Sequence, residues 1–202
     1  MRRLTSVRRR VACAWTLPAL LAVPTLALLA LADLASAAPE RWLGVGITSG
    51  TRSFASPMEL QSEIALGARL SIGLTGNLTI SIDGGHSNPT RRTSGTPSSY
   101  GEIRALAAYR FLSGSVRPYL LTGLGGQFFN FHDAPGTAGA CVAAGIGVDF
   151  EANEEWALFG EVSIDAYRAR FQTFSESGEV IDSTDILTYG TGILSVGLQY
   201  RF

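Results

Sequence analysis

The chain ends in nine residues, LSVGLQYRF at positions 194–202, in which apolar side chains alternate without a break with polar or small ones. The apolar positions are Leu194, Val196, Leu198, Tyr200 and Phe202. Successive side chains of a β-strand point to opposite faces of its sheet. The stretch therefore predicts a strand with one apolar face and one polar face.

The same period of two recurs along the chain after residue 37, where no stretch keeps a helical period. The C-terminal segment extends back to residue 186, and seven earlier segments share its pattern: residues 42–52, 62–74, 78–86, 100–111, 117–131, 139–150 and 156–171. Polar breaks separate these segments. The sequence therefore predicts one all-β domain of eight strands.

The polar faces of the predicted strands carry charges of both signs among many small residues. The charged positions are Glu63, Arg69, Asp83, Glu102, Arg104, Arg110, Asp149, Glu161, Asp165 and Arg201. A soluble barrel would expose this face to water and bury the Leu, Val and Ile face. Small residues suit a narrow lumen, however, and opposite charges can pair inside it. We therefore expect the charged face to point inward and the apolar face outward.

Aromatic residues gather at both ends of the predicted strands. One end holds Tyr109, Phe111, Phe150, Trp156, Tyr200 and Phe202. The other end holds Phe54, Tyr100, Phe128, Phe129, Phe131, Tyr167, Phe171 and Tyr189. Two aromatic girdles around an apolar band are typical of a transmembrane β-barrel.

Short and long connections alternate between the predicted strands. The short ones are residues 75–77, 112–116 and 151–155, and the long ones are residues 53–61, 87–99, 132–138 and 172–185. Outer-membrane barrels have short periplasmic turns, longer outer loops and an even number of strands. The predicted fold is thus an eight-stranded antiparallel up-and-down transmembrane β-barrel with both termini on the periplasmic side.

The first 37 residues differ in character from the rest. All five of their Arg precede residue 11, residues 11–31 are mostly apolar, and Ala35-Ser36-Ala37 forms a small-x-small site. This pattern is typical of a secretory signal peptide, so we expect residues 1–37 to be cleaved and residues 38–202 to form the barrel domain. The alternative is a retained transmembrane anchor, because the apolar stretch is long enough to span a bilayer.

The composition excludes several classes of protein. With 46% hydrophobic and 16% charged residues, the chain is too apolar to be disordered. Its 16 basic residues, all Arg, do not outnumber its 17 acidic residues, which argues against nucleic-acid binding. Two cysteines cannot build a Cys-rich zinc site, and only Cys141 remains after cleavage. We expect no metal, no cofactor and no nucleic acid.

Four stretches resemble the small eight-stranded outer-membrane barrels, namely the OmpA-type transmembrane domain and the outer-membrane β-barrel domain family. They are residues 117–125 (RPYLLTGLG), 145–150 (GIGVDF), 158–162 (LFGEV) and 197–202 (GLQYRF). The resemblance implies this fold in the outer membrane of a Gram-negative cell, as a monomer among lipid and lipopolysaccharide. It also implies a C-terminal signal for the barrel assembly machinery: Gly197, Tyr200 and Phe202. It says little about activity.

Eight charged residues are expected to form a network in the lumen, because eight strands leave an interior that side chains just fill. They are Arg69, Glu102, Arg104, Arg110, Asp149, Glu161, Asp165 and Arg201. The network would act as a structural plug, and we expect Glu161 and Arg104 to meet across the lumen. The alternative is that these charges line a small pore.

Candidate catalytic residues are few. The sequence His86-Ser87-Asn88 resembles the His-x-Ser-Asn motif of barrel lipid A deacylases but lacks the spacer residue, and no acid partner for His86 can be named. We therefore predict a non-enzymatic outer-membrane barrel with a role in envelope structure or surface interaction. A small pore and a lipid-modifying enzyme are the alternatives. In the second long loop, Arg91 and Arg92 either contact lipopolysaccharide phosphates or are simply solvated.

Overall fold

The computed structural model describes residues 42–55, 59–132, 136–169, 172–174, 180–183 and 187–202. The expected signal peptide lies outside these residues. The described chain forms ten strands: β1 (Trp42–Phe54), β2 (Glu63–Gly73), β3 (Leu78–Ser87), β4 (Ser98–Arg110), β5 (Val116–Phe131), β6 (Thr137–Glu151), β7 (Trp156–Ala169), β8 (Gln172–Phe174), β9 (Val180–Ser183) and β10 (Leu187–Arg201). Within the described ranges, no helix is long and apolar enough to cross a membrane.

Eight strands close into one barrel in the order β1-β10-β7-β6-β5-β4-β3-β2, with every neighbouring pair antiparallel. The predicted eight-stranded up-and-down barrel is confirmed, with β10 as the eighth strand. The short strands β8 and β9 form a separate two-stranded sheet in a connection that the sequence pattern predicts as a loop. Closure pairs each barrel strand on both sides, so the barrel has no free sheet edge.

The strands are staggered around the barrel. The stagger is found by stepping from each residue to its partner on the next strand, once around the barrel. The path starts at Val148 of β6 and returns to β6 at Ala138, ten residues away. It passes through Gly160, Val196, Ser49, Leu66, His86, Gly101 and Phe128. With a rise of about 3.3 Å per residue and a strand spacing of about 4.8 Å, this stagger tilts the strands by about 40°. Residues at equal positions along two strands therefore lie at different heights.

The barrel is apolar outside and polar inside. Eight large apolar residues on the outward face expose 57–68% of their surface: Ile47, Ile64, Leu66, Leu124, Ile146, Leu194, Val196 and Phe202. The inward face buries hydroxyl and amide side chains, among them Ser71, Thr79, Ser81, Thr191, Ser195 and Gln199. The charged face points inward, as the sequence analysis expects.

Outward aromatic residues lie at the end of the barrel with the short turns, on or directly after β4, β6, β7 and β10. The ring centroids of Trp156 and Tyr200 lie 5.0 Å apart, and those of Tyr109 and Phe111 lie 5.5 Å apart. Phe150, Phe111 and Phe202 are 47%, 48% and 63% exposed there. The predicted girdle at this end is therefore present on four of the eight barrel strands.

The second predicted girdle, at the end with the long loops, is largely wrong. Phe54, Tyr100, Phe129 and Tyr167 are at most 5% exposed and lie inside the barrel mouth, whereas Phe128 points outward and is 52% exposed. The reason is the period of two: Tyr100 shares its face with the inward Glu102 and Arg104, and Phe129 shares its face with Gln127. The side chains of Phe171 and Tyr189 lie outside the described residues.

The short turns are held by local side-chain hydrogen bonds. Leu78 N donates to Thr75 Oγ1 at 2.9 Å in the β2–β3 turn. In the β6–β7 turn, Trp156 N and Glu155 N donate to Asn153 Oδ1 at 2.7 and 2.9 Å. Such Asx and Ser/Thr turns satisfy backbone N–H groups that strand pairing leaves free. They align the strands whose inward residues form the candidate site.

Candidate functional site: the barrel lumen

The lumen holds charged side chains at three levels between the short turns and the long loops. The central level is built on Arg69 of β2. Its guanidinium donates to Asp83 Oδ1 and Oδ2 at 2.7 and 2.6 Å, and to Glu161 Oε1 and Oε2 at 2.7 Å each. Arg69 also lies 4.2 Å above the ring of Phe159. One cation therefore joins the neighbouring strand β3 to strand β7 on the opposite side of the lumen.

Tyr119 completes the coordination of Glu161. Its hydroxyl donates to Glu161 Oε1 at 2.7 Å, so this carboxylate accepts from a phenol and a guanidinium together. Tyr119 and Glu161 are 3% and 4% exposed. Because hydrogen bonds to charged groups are stronger than neutral ones, this cluster is held tightly in one geometry.

The upper level lies toward the long loops. Arg104 approaches Asp83 Oδ2 and Asp165 Oδ1, each at 3.4 Å. Gln127 Nε2 donates to the other oxygen of Asp165 at 3.0 Å. Arg104 therefore links the central level, through Asp83, to the upper one.

A second ion pair lies beside Arg104 in the upper level. Arg52 Nη2 and Nε donate to Glu102 Oε1 at 2.5 and 3.1 Å. Tyr100 Oη donates to Glu102 Oε2 at 2.6 Å. Both oxygens of this carboxylate thus accept hydrogen bonds. The Tyr100 ring extends from this pair into the barrel mouth.

The lower level lies beside the short turns. Arg110 Nε donates to Asp149 Oδ2 at 2.6 Å, and its Nη1 donates to Thr79 Oγ1. Arg117 and Arg201 both donate to Glu151. Arg201 also lies 4.6 Å above the ring of Trp42, at the start of β1.

A small cavity lies among these side chains. Between the central and lower levels is a cavity of about 10 Å³, the lower limit of what one water molecule needs. The charged residues of the central and upper levels are at most 8% exposed. Charges so far from water are costly unless paired, and each of these has an opposite charge within 4 Å.

Above the charges, mostly aromatic side chains fill the barrel mouth at the end with the long loops. This aromatic cap consists of Phe54, Leu60, Tyr100, Phe129, Cys141 and Tyr167. The Tyr100 ring lies 5.1 Å from both Phe54 and Phe129, and Phe129 lies 5.7 Å from Tyr167. Cys141 is 2% exposed within the cap.

All eight charged residues proposed from the sequence lie on the inward face, each in an ion pair: Arg69, Glu102, Arg104, Arg110, Asp149, Glu161, Asp165 and Arg201. The expected direct pair of Glu161 with Arg104 is wrong, because Arg69 is the cation that Glu161 meets. Counting residues along each strand places Glu161 and Arg104 at one height. The stagger of the strands separates those heights.

Sequence reasoning missed several members of the network. Arg52 lies an even number of residues from the inward glycines of β1, so the alternation of side chains could have placed it in the lumen. Asp83 is on the expected charged face but was not assigned to the network, although it lies beside Arg69 in the β2–β3 register. Tyr119 and Gln127 carry no charge, and only their contacts with Glu161 and Asp165 reveal their part.

Of the expected assembly signal, Gly197 and Tyr200 lie on opposite faces of β10, and Phe202 directly follows the strand. A Cβ on the inward Gly197 would come within 2.3 Å of the Phe159 ring, so only glycine fits there. The Tyr200 ring packs against Trp156 on the outward face, and Phe202 N donates to Leu43 O at 2.8 Å, which joins the last residue to β1. His86 is exposed on the outward face, 3.2 Å from Asn88 Oδ1.

Comparisons with known proteins support the fold. No protein-family model matches the chain, and no curated protein is significantly similar to it in sequence. Among solved structures, Neisserial surface protein A (NspA) aligns with a TM-score of 0.55 and 16% identity over 80% of this chain and 97% of its own. The outer membrane protein OprG from Pseudomonas aeruginosa aligns with a TM-score of 0.55 and 11% identity over 82% and 97%. At these identities the similarity shows the fold alone.

Proposed function

We propose that this protein is a non-enzymatic integral barrel of the bacterial outer membrane, with a role in envelope structure or surface interaction. The observation that carries the proposal is the reversed polarity of the barrel. Large apolar side chains such as Ile47 and Leu66 are about two-thirds exposed on the outside, while paired charges fill the inside. This arrangement is favourable only where the surroundings of the barrel are themselves apolar.

The dimensions of the barrel support the same proposal. Strands tilted by about 40° need about ten residues to cross a hydrocarbon layer. The barrel strands are 10–16 residues long. Closure pairs the backbone of every barrel strand within the protein, as a lipid environment requires.

Membrane fractionation combined with a heat-modifiability gel tests the location. We expect the mature protein in the outer-membrane fraction, migrating at different positions before and after boiling. A mature product found soluble in the periplasm would remove this proposal together with the pore and lipid-enzyme alternatives. Loss of residues 1–37 from that product, read by mass spectrometry of its N-terminus, tests the signal peptide.

The lumen charges are proposed to be a structural plug. Three observations support this role over that of a pore lining: the bidentate contacts of Arg69, the position of Arg104 between Asp83 and Asp165, and the small cavity beside them. In planar bilayers we expect no steady conductance from the wild-type protein. An open wild-type channel would contradict the plug and favour the pore.

The proposed partners follow from the location: outer-membrane lipid, lipopolysaccharide and, during assembly, the barrel assembly machinery, with the folded barrel a monomer. The C-terminal signal is tested by Phe202→Ser. We expect a sharp fall in assembled, heat-modifiable barrel, because Phe202 is 63% exposed on the outward face at the end of the last strand. The matched control is Phe128→Ser, an outward aromatic at the other end of the barrel that is 52% exposed. Equal yields from the two variants would contradict a role specific to the C-terminus.

A further inference from the structure

A short segment covers the outer mouth of the barrel. We call residues 59–61 the strap. Leu60, at its centre, is 1% exposed and packs into the aromatic cap with Phe54, Tyr100 and Phe129. The strap lies outside the barrel strands, so a single apolar side chain connects it to the lumen.

The strap is held by the loop between β3 and β4, residues 88–97. Arg92 holds it at two points: its backbone N donates to Glu59 O at 2.6 Å, and its Nε donates to Leu60 O at 3.0 Å. Thr93 Oγ1 adds a hydrogen bond to Glu59 Oε2 at 2.9 Å. These bonds end on the loop rather than on the barrel, so they can break without opening the strand pairing.

The loop that holds the strap is itself closed by backbone hydrogen bonds. Arg91 N donates to Thr96 O, and Gly95 N donates to Arg91 O, each at 2.9 Å. Gly95 has a positive φ of 67°, which allows the tight reversal between them. The strap is therefore bonded to a loop whose shape is held by its own backbone hydrogen bonds.

The strap also carries backbone strain. Among the described residues, Glu59 is the one non-glycine with a positive φ, at 54°. A positive φ is unfavourable for a residue that carries a side chain, and the conformation persists only where surrounding contacts impose it. The contacts in question are those from Arg92 and Thr93, the hydrogen bond from Gln61 N to Thr90 O at 2.9 Å, and the burial of Leu60. Their release would let Glu59 relax and would favour withdrawal of its neighbour.

We propose that the strap is a removable cover of the outer mouth. Leu60 in place closes the aromatic cap to solvent, and loss of the Arg92 contacts lets Leu60 withdraw while the barrel strands stay paired. The protein then has two seals in series, an outer apolar one that can open and an inner ionic one that stays closed. This goes beyond the proposed structural role, because it places a conformational device on the outward-facing end.

Cys141 provides a built-in reporter of the cover, since it is 2% exposed within the cap that Leu60 closes. The test measures how fast a charged, membrane-impermeant thiol reagent, added from outside to intact cells, modifies Cys141. We expect slow modification of the wild-type barrel. Leu60→Ala should accelerate it by about thirtyfold or more, because losing a buried leucine side chain raises the open population at least that far.

Two further variants separate the cover from general damage. Arg92→Ala keeps the apolar contact but loses the guanidinium bond to the strap, and we expect about fivefold faster modification. Leu112→Ala is the matched control: it removes an exposed leucine at the opposite end, 56% exposed, and should leave the rate unchanged. Cys141→Ser supplies the blank.

The outcomes are distinct. A folded Leu60→Ala barrel with the wild-type rate would overturn the proposal, as would a wild-type rate equal to that of urea-unfolded protein. If Leu60→Ala fails to show the heat-modifiable form, the comparison of Arg92→Ala with Leu112→Ala decides instead. Failure of the proposed location would appear in the fractionation and not in the ratio of rates between folded variants.

Discussion

The inside and the outside of this barrel are built by opposite rules, although both faces come from the same strands. Inside, each charged side chain has a particular partner: Arg69 bridges Asp83 and Glu161, and Tyr119 donates to the same Glu161. Outside, residues such as Leu70 and Val162 need only be apolar, because a fluid surrounding has no fixed shape to match. Substitution should therefore be costly inside and mild outside, and neighbouring residues of one strand provide the comparison.

The largest difference is expected between Arg69 and the adjacent Leu70 on β2. Arg69→Ala leaves Asp83 and Glu161 buried without their shared cation and should cost about 3–5 kcal/mol in the free energy of unfolding. Leu70→Ala removes an outward side chain, 44% exposed, that leaves no cavity in a protein core; it loses only the transfer of that side chain from water to apolar surroundings, which should cost about 1–2 kcal/mol. Urea unfolding in lipid vesicles measures both, and equal losses would contradict the two rules.

The second prediction sharpens the rule for the inside. A double-mutant cycle between Arg69 and Glu161 should give a coupling energy of about 2–3 kcal/mol, since these residues share two charged hydrogen bonds. The cycle between Arg104 and Glu161 should give a clearly smaller value. If the second coupling equals the first, the pairing read from the sequence describes the lumen better than the contacts of Arg69 do.

Two glycines extend the comparison to packing. Gly197→Ala would place a Cβ against the inward Phe159 ring and should cost about 1–3 kcal/mol from overpacking. Gly160→Ala on the outward face of β7 meets nothing within 4 Å, so its effect should stay within about 0.5 kcal/mol. The same unfolding assay measures both, and a larger loss at Gly160 would indicate an unseen contact on the outer face.

The last comparison concerns two tyrosine hydroxyls. Tyr119→Phe removes the inward hydrogen bond to Glu161 and should cost about 1.5–3 kcal/mol. Tyr109→Phe changes a ring of the outward girdle that packs against Phe111, and should cost below about 0.5 kcal/mol. Comparable losses would mean that the girdle hydroxyl contributes as much as the buried one.

The fold was open to prediction because its signal is local. A period of two in residues 194–202, repeated in seven other segments, states which side chains share a face, and alternating loop lengths state how the strands connect. The same period of two determines which charged residues point inward. The alternation of side chains also places Phe54 and Tyr100 inside. Their aromatic character suggested an outer girdle instead, and that expectation was wrong.

The pairing inside the lumen was not open to the same reasoning. Whether Glu161 meets Arg104 or Arg69 depends on the height of each residue, and height depends on a stagger of ten residues that accumulates around the closed barrel. No single strand carries that information. The position of Leu60 in the mouth likewise depends on two loops that are distant in sequence.

The alternation of side chains along each strand was thus sufficient for the eight barrel strands, the polarity of the two faces and most of the lumen charges, because strand geometry acts residue by residue. The partners of those charges, the aromatic cap and the strap required the closed barrel. Each of them brings together residues from different strands and loops, and closure sets both the stagger and the width across which they meet.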